Sequence, residues 1–159
     1  MLTPEERLDI QEFYARYADC LDGGRLQHWP EFFTEPCVYR INTRRGMRME
    51  PDEDSMSFDS KAIMLDRIVA LGQSEDFEPH LQRHYITNVR AQTTEAEGEE
   101  LRVFANFLVI RTFPEKRSEL FVSGHYKDRI VRPGGRWKFQ EKLVVLDSDV
   151  APEGLIYPL

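Results

Sequence analysis

The sequence predicts an α+β domain, in which N-terminal helices pack on one face of a curved and mostly antiparallel β-sheet. Roughly the first 70 residues contain three segments with the signals of helices, and from about Gln82 onward the segments are rich in Val, Ile, Phe and Tyr. The links between these later segments are short, whereas a parallel crossover needs about a dozen or more residues, so we expect an antiparallel meander. A length of 159 residues fits one domain, which we expect to span residues 1–159.

The first helix is predicted by signals at both of its ends. Thr3 is the expected N-cap, Pro4 occupies the first helical position, and Glu6 completes a capping box. We expect the helix to end at residues 22–24, because the two glycines there accept the left-handed conformation that closes many helices. The apolar positions of this helix follow at helical spacing and are Ile10, Phe13, Tyr14, Tyr17 and Leu21.

The middle of the chain predicts two further helices and a strand. In chain order we expect a short helix at 26–33, a brief strand at 37–41, a loop at 44–57 and a third helix at 60–71. The loop is predicted because its residues are charged and lack periodicity. Ser60 or Asp59 is the expected cap of the third helix. The apolar positions of that helix include Ile63, Ile68 and Leu71.

The second half of the chain predicts four strands. They are expected at residues 83–92, 101–112, 119–131 and 137–146, with links at 93–100, 113–118 and 132–135. The last link contains a proline followed by two glycines, which is typical of a tight turn. These strands would form the sheet on which the helices pack.

The strand at 101–112 is apolar on both faces, which a sheet covered by helices on one side does not require. Alternation along the strand divides its apolar residues into two sets, Val103, Phe107 and Val109 on one face and Phe104, Leu108 and Ile110 on the other. Either more of this chain or another subunit must then cover the second face. The apolar residues 155–159 are likewise expected to be held down, on their own domain or on a neighbour.

The composition excludes several classes of partner. A net charge of −7 and a pI of about 5.2 argue against binding to nucleic acid or to an anionic membrane surface. The sequence has no apolar run long enough for a spanning helix, and its N-terminus lacks the features of a signal peptide. Cys20 and Cys37 are therefore expected to be free thiols in a reducing cytoplasm.

Histidines and cysteines are present, but not in the spacings that metal sites, iron–sulfur clusters or catalytic motifs require. The histidines are His28, His80, His84 and His125. His80 and His84 are expected in an extended segment, where residues four apart are separated by roughly 13 Å and cannot share one ion. Neither cysteine has a histidine two or three residues away, so a Rieske cluster cannot be built. Nucleophile and phosphate-loop motifs are also absent from the sequence. We therefore expect no catalytic, cofactor-binding or metal-binding residue on this chain.

A pocket enzyme remains the alternative, because helices on a curved sheet can enclose a cavity. Tyr14, Tyr17, Asp22, His84 and His125 could supply acid or base groups there, with His84, Tyr14 and Asp22 as the leading candidates. Tyrosines on an apolar helix face are more often core residues whose hydroxyls are satisfied. A binding module for a small ligand would also need an open pocket. The abundant aromatic residues favour a packed interior instead: Phe13, Tyr17, Trp29, Phe32, Phe33, Tyr39, Phe104, Phe107 and Trp137.

Four stretches, taken in order, resemble the beta subunits of aromatic-ring-hydroxylating dioxygenases. They are residues 18–22 with Trp29, 32–34 and Tyr39; residues 83–89, RHYITNV; residues 120–128, LFVSGHYKD; and residues 142–147, KLVVLD, with 155–159. The resemblance covers nearly the whole chain, from about Leu8 to Leu159. Two positions depart from the family pattern, since His125 stands where arginine is common and residues 78–82 replace a proline–serine–arginine run. The substrate is therefore left open among benzoate, salicylate, biphenyl and larger polycyclic compounds.

This resemblance implies a fold, a partner and a role. The fold would be an NTF2-like (cystatin-like) cone, and the role would be that of a non-catalytic subunit in the catabolism of aromatic compounds. In this family a larger alpha subunit carries the Rieske [2Fe-2S] cluster and the mononuclear iron, and the beta subunit carries no cofactor. Beta subunits form a homotrimer beneath three alpha subunits, giving an alpha3beta3 assembly, which would cover the second apolar face of the sheet.

Overall fold

The computed structural model describes residues 2–48, 56–73, 78–94 and 100–159. Helix α1 runs from Pro4–Asp22 and begins with the predicted capping box. The Thr3 hydroxyl accepts the N–H of Glu6 at 3.1 Å, and the Glu6 carboxylate accepts the N–H of Thr3 at 2.8 Å. At the other end, the helix finishes within the predicted residues 22–24: Gly23 is the C-cap and keeps a negative φ, and Gly24 takes the left-handed conformation.

The segment after α1 differs in part from the prediction. Leu26–Phe32 forms a 3-10 helix, and the strand that follows, β1, is Phe33–Thr43. That strand is longer at both ends than the predicted 37–41. At both ends of the predicted loop at 44–57 the chain forms regular structure, since Gly46–Arg48 is a 3-10 turn and Met56–Phe58 is strand β2. Residues 49–55 of that loop lie outside the described residues.

The next helix, α2, is Lys61–Gly72 and is capped as predicted. The Ser60 hydroxyl accepts the N–H of Ile63 at 3.3 Å. The helix buries Met64 fully, whereas Ile63 is 43 % exposed. One narrow face of α2 therefore contacts the rest of the domain, and much of its apolar surface faces solvent.

The four later strands follow the predicted order. They are β3 (Leu81–Thr93), β4 (Leu101–Thr112), β5 (Glu119–Val131) and β6 (Lys138–Leu146). Of the link predicted at 93–100, residues 95–99 lie outside the described residues. In the part of the chain that the structure describes, six strands form one sheet in the order β2-β1-β6-β5-β4-β3. The meander from β3 to β6 is antiparallel, as predicted. Strand β1 pairs with β6 in parallel, and the long segment between them in the chain, which includes α2 and the other strands of the meander, permits this crossover.

The helix α1 lies against the inner face of this sheet, and β4 shows how the two faces differ. Val103, Phe107 and Val109 are buried in the core, as their spacing predicts. Phe104 and Ile110 are half-buried on the outer face, and Leu108 is 37 % exposed there. Among the described residues, no helix is long and apolar enough to cross a membrane.

The end of the chain is held on its own domain, which settles one alternative left open by the sequence. Leu159 is fully buried. Its N–H donates to the Tyr39 hydroxyl at 2.8 Å, and its main-chain oxygen accepts from the Tyr17 hydroxyl at 2.9 Å. The last residue thus joins α1 to β1 through two tyrosine side chains.

Candidate functional site

The end of α1 is joined to β3 by an acid–base pair. Asp22 accepts the Nδ1–H of His84 at 2.6 Å and also accepts the backbone N–H of His84 at 3.0 and 3.1 Å. The His84 side chain is 1 % exposed and that of Asp22 is 14 % exposed. An aspartate at Nδ1 favours the tautomer in which Nε2 can accept a proton, as a general base does. That Nε2 atom is buried and has no hydrogen-bond partner in the described residues.

An open cleft of about 510 Å³ lies beside this pair, between α1 and β3. The helix contributes Gln11, Tyr14 and Asp19 to its walls, and the strand contributes residues 83–89. The imidazole of His84 lies beneath the wall instead of projecting from it, because its side chain is almost wholly covered. The cleft therefore does not present Nε2 to a molecule in solution.

A second polar group lies deeper, between α1, β5 and β6. Lys142 and Asp128 are both fully buried, and their charged groups are 3.2 Å apart. The Tyr14 hydroxyl donates to the same carboxylate oxygen of Asp128 at 2.5 Å. Burial raises the pKa of Asp128, while Lys142, Tyr14 and the backbone N–H of Leu143 act to lower it. The hydroxyl of Tyr14 and the ammonium of Lys142 both donate to one carboxylate oxygen and favour its ionised form, so the geometry supports a charged pair at neutral pH.

The ammonium group of Lys142 is enclosed by aromatic rings. Its Nζ atom lies 3.2 Å from the ring centroid of Tyr126, 4.6 Å from Phe139 and 4.7 Å from Tyr17. Aromatic faces attract cations, more strongly where water is excluded. Burial lowers the pKa of Lys142 to about 8, against the opposing effect of Asp128. The lysine therefore remains mostly protonated at neutral pH and fills the space between helix and sheet.

The interior is packed in the way the aromatic content predicts, with one correction. Phe13, Tyr17, Phe33 and Phe139 form a continuous set of ring contacts at 4.7 to 6.1 Å, together with Trp29 and Tyr39. The half-buried Phe32 also packs on this set, with its ring 5.5 Å from that of Tyr17. Phe104 is not part of this interior, because its place in the alternation of β4 turns it to the outer face.

The structure brings together two of the three leading acid–base candidates. Asp22 and His84 are paired, while the Tyr14 hydroxyl is directed to Asp128 instead of to His84. Tyr14 and Tyr17 are core residues with satisfied hydroxyls, as expected. The remaining histidines lie apart from this pair: His28 contacts Glu31 at the surface, His80 precedes β3, and His125 is half-buried on the outer face of the sheet.

Lys142 and Asp128 are the residues that the sequence reasoning missed. The sequence nevertheless contained a signal for them, because each occupies a position that faces the core in a strand of alternating side chains. Asp128 lies between Tyr126 and Ile130, and Lys142 is in phase with Val144 and Leu146. A charged residue in phase with core positions on two neighbouring strands indicates a buried ion pair. The register pairs these two residues directly.

Metal-ligating side chains do not converge in the described residues. There, no group of three or more His, Cys, Asp or Glu side chains is placed to hold an ion. The thiols of Cys20 and Cys37 are buried and free, and they approach the Arg25 carbonyl and the Met64 sulfur respectively. The donor set is thus unlike that of an iron–sulfur or mononuclear iron site.

The buried tyrosines predict a loss of stability in alkali. Burial raises the pKa of Tyr14, Tyr17, Tyr39 and Tyr126 above the usual value for a phenol. From about pH 10 the unfolded chain releases phenolic protons that the folded chain retains, so the free energy of unfolding falls as pH rises further. Denaturant unfolding between pH 8 and 11 should show this fall, and phenolate absorbance from these four residues should appear only as the chain unfolds.

Tyr126→Phe provides the matched variant, because the Tyr126 hydroxyl has no hydrogen-bond partner in the described residues. Removing one buried phenol should reduce the slope of unfolding free energy by up to about 1.4 kcal/mol per pH unit above pH 10. An unchanged slope, or phenolate absorbance from all buried tyrosines in the folded protein, would contradict the expected burial.

Comparison with known proteins gives consistent matches over most of the chain. Residues 3–142 match the SnoaL-like domain family. The chain is 30 % identical over 152 residues to the subunit beta 1 of the terminal oxygenase component of terephthalate 1,2-dioxygenase from Comamonas sp., covering 96 % of this chain and 97 % of that one. It is 28 % identical to the small subunit of anthranilate 1,2-dioxygenase from Burkholderia cepacia, with coverages of 95 % and 92 %. A protein from Novosphingobium aromaticivorans, assigned as the beta subunit of an aromatic-ring-hydroxylating dioxygenase, superposes with a TM-score of 0.82 at 28 % identity over 96 % of each chain.

Proposed function

The chain belongs to the SnoaL-like domain family and, within it, to the beta subunits of aromatic-ring-hydroxylating dioxygenases, and from this membership we propose that it is the non-catalytic structural subunit of such an enzyme. In this proposal residues 1–159 form one NTF2-like domain, which associates as a homotrimer and supports three larger alpha subunits in an alpha3beta3 assembly. Obligate interfaces of this kind are large and apolar. The partly exposed apolar side chains on the outer face of the sheet support an assembly role.

The iron centres of the proposed enzyme belong to the alpha subunit. That partner would hold the Rieske [2Fe-2S] cluster and the mononuclear iron, and this chain would hold no cofactor and no metal. A Rieske cluster requires two cysteine and two histidine ligands. Cys20 and Cys37 are each buried against other groups, so they do not fit the Rieske cluster. Among the described residues, the His, Asp and Glu side chains do not converge in the set of three that a mononuclear iron needs. No step of the reaction is therefore assigned to them.

The proposed contribution of this chain is to position the alpha subunits. Holding three of them in a fixed ring would keep the Rieske centre of one near the mononuclear iron of its neighbour. A scaffold for such a purpose must be rigid, and close-packed interiors have low compressibility. The continuous aromatic core supports that role, as does the joining of α1, β1 and the last residue by Tyr17 and Tyr39. We place this assembly in the cytoplasm, in the catabolism of aromatic compounds, without nucleic acid or membrane as a partner.

The observation that carries the non-catalytic part of the proposal is the occupied interior. In a pocket enzyme, the space between helix and sheet would be open and lined by convergent polar groups. Here the interior between α1, β5 and β6 is filled by the side chain of Lys142, with its ammonium group between aromatic rings and its charge balanced by Asp128. The open cleft between α1 and β3 does not expose the imidazole of His84, whose side chain is 1 % exposed.

The test is purification of the tagged full-length chain from its native host grown on aromatic compounds. We expect a larger, brown, iron–sulfur protein to be retained through salt washing in equal amounts, with ring hydroxylation requiring both chains. The screen for the aromatic substrate is then carried out on the complex. Elution of the chain alone and colourless, with turnover of a small molecule in the absence of iron, would overturn the proposal.

One observation favours a second candidate, a stand-alone acid–base enzyme such as a dehydratase or isomerase. The Asp22–His84 pair has the geometry of an oriented general base, and it lies beside the open cleft. The same purification decides between the candidates. If the isolated chain is active, Asp22→Asn should remove that activity by releasing the imidazole from its orientation, whereas a scaffold would show no activity to remove.

A further inference from the structure

Strand β3 is the last strand of the sheet, and among the described residues one of its two sides has no neighbouring strand. Successive N–H groups along a strand point to opposite sides. The N–H of His84 points away from β4, because it donates to Asp22 at the end of α1. The N–H groups of Gln82 and Ile86 therefore point to the same open side. A row of this kind can pair with an extended strand of another chain.

The length and the side chains of β3 increase this risk. Natural edge strands are often short or strongly charged, whereas a long, exposed and apolar edge is a site of aggregation. Strand β3 has 13 residues, and on it Leu81 is 66 % exposed and Tyr85 is 49 % exposed. The open cleft of about 510 Å³ between α1 and β3 leaves space beside residues 83–89. The helix therefore does not by itself close this edge.

Asp22 occupies the position that the main chain of an added strand would need. Its two carboxylate oxygens accept the N–H of His84 at 3.1 and 3.0 Å. A carbonyl oxygen of a neighbouring strand would accept the same N–H at about 2.9–3.0 Å. The carboxylate thus replaces that carbonyl, and an incoming strand would have to displace it. Its negative charge also repels the carbonyl oxygens of such a strand.

The imidazole of His84 holds this carboxylate in place. Its Nδ1–H donates to Asp22 at 2.6 Å, and the His84 side chain is 1 % exposed, so the ring is fixed by its surroundings. Asp22 is the last residue of α1, where a negative charge opposes the helix dipole. The stability of the helix therefore does not account for an aspartate at this position, whereas its contact with the edge of β3 does.

A β-bulge interrupts the same edge farther along the strand. The register between β3 and β4 shifts between Thr87 and Arg90. Within that interval Asn88 has a φ of 54°, in the left-handed region. A bulge bends the strand and increases its twist, which also hinders the addition of a flat strand. The bulge thus protects the second half of β3, and Asp22 lies at the first half, where the strand is regular.

We propose that Asp22 and His84, which we call the edge guard, prevent β3 from pairing with the β3 edge of a second copy of this chain. Asp22 is the blocking group, and His84 is a positioning residue that keeps the carboxylate over the edge. This role differs from that of an oriented general base. It is also independent of the subunit role proposed above, because an unprotected edge associates in the isolated chain as well.

The test removes the blocking group in the full-length chain. Asp22→Ala is compared with Asp19→Ala, which changes the net charge equally and alters an exposed residue of the same cleft. In sedimentation velocity, Asp22→Ala should form species larger than those of the wild type. It should do so at a protein concentration at least about tenfold lower than the wild type requires, a change equivalent to about 1.4 kcal/mol. Asp19→Ala should behave as the wild type.

A second substitution shows whether the new contact uses β3. Lysine on an edge strand opposes pairing, so Tyr85→Lys added to Asp22→Ala should return the association to the level of the wild type. Larger species that persist in this double variant would place the contact elsewhere and overturn the inference.

Circular dichroism and denaturant unfolding show whether each variant is folded. A folded Asp22→Ala chain that associates no more than Asp19→Ala would also overturn the inference. If Asp22→Ala does not fold, Asp22→Asn takes its place with Asp19→Asn as control, because the amide keeps an acceptor for the N–H of His84 but loses the charge. Co-purification of the wild type with the larger iron–sulfur protein tests the proposed function separately, so the two can fail independently.

Discussion

Asp128→Asn is expected to destabilise the folded chain by about 3–5 kcal/mol. The substitution preserves the shape of the side chain but leaves the buried ammonium of Lys142 without its counter-ion. It also replaces a carboxylate that accepts the Tyr14 hydroxyl. Aromatic rings around Lys142 cannot compensate for this loss, because a cation–π contact contributes about 2 kcal/mol when desolvated. Denaturant unfolding at pH 7 measures the difference directly.

A double-mutant cycle separates the ion pair from simple loss of packing. Lys142→Met keeps a similar volume and should also be destabilising alone, because Asp128 would then be buried without a cation. The double variant should be less destabilised than the sum of the two single variants, by about 0.5–3 kcal/mol of coupling. Additive effects would show that the two charges contribute independently, contrary to their 3.2 Å contact.

Local signals were sufficient to predict α1 and α2. The capping box at Thr3 and Glu6, and the Ser60 cap, form from residues a few positions apart, so their hydrogen bonds are visible in the sequence. The meander from β3 to β6 was also predictable, because short links permit antiparallel pairing. The two faces of β4 followed from alternation alone.

The elements that were missed depend on distant parts of the chain. Strand β1 is longer than predicted because β6 pairs with it in parallel from Phe33 to Thr43, a contact between residues about a hundred positions apart. The short strand β2 exists only as a partner of β1. Periodicity within a segment carries no information on such pairing, whereas the tertiary context can extend or create a strand.

The candidate site also combines features that the local sequence predicts with features that depend on distant parts of the chain. Asp22 and His84 were named from their residue types, but their contact at 2.6 Å depends on how the end of α1 meets β3. The opposite charges of Asp128 and Lys142 lie at core positions of neighbouring strands, so the alternation pattern was informative for them. What the sequence could not supply was the aromatic enclosure, since Tyr17 and Phe139 reach Lys142 from different elements.

The second prediction concerns the stability of a variant in which a glycine of the sheet, Gly124, is replaced by alanine. Gly72→Ala, in α2, is its control. Gly72 is the last residue of α2, and a methyl group added there would meet no atom within 4 Å. Alanine at this position should leave stability unchanged or raise it by up to about 1 kcal/mol, because alanine has the higher helix propensity. The variant thus measures what the same chemical change does where space is free.

Gly124→Ala is expected to destabilise the chain by about 3 kcal/mol or more, although it adds only one methyl group. That methyl group would lie 2.1 Å from the backbone oxygen of Val145 and 2.9 Å from the ring of Phe107. The oxygen belongs to the neighbouring strand β6 and cannot move without disturbing the pairing of β5 and β6. The Phe107 ring stacks on Tyr126 with centroids 4.6 Å apart, so its displacement would also disturb the rings around Lys142. Denaturant unfolding of both glycine variants tests this, and a Gly124→Ala chain as stable as the wild type would mean that β5 and β6 are not held this closely.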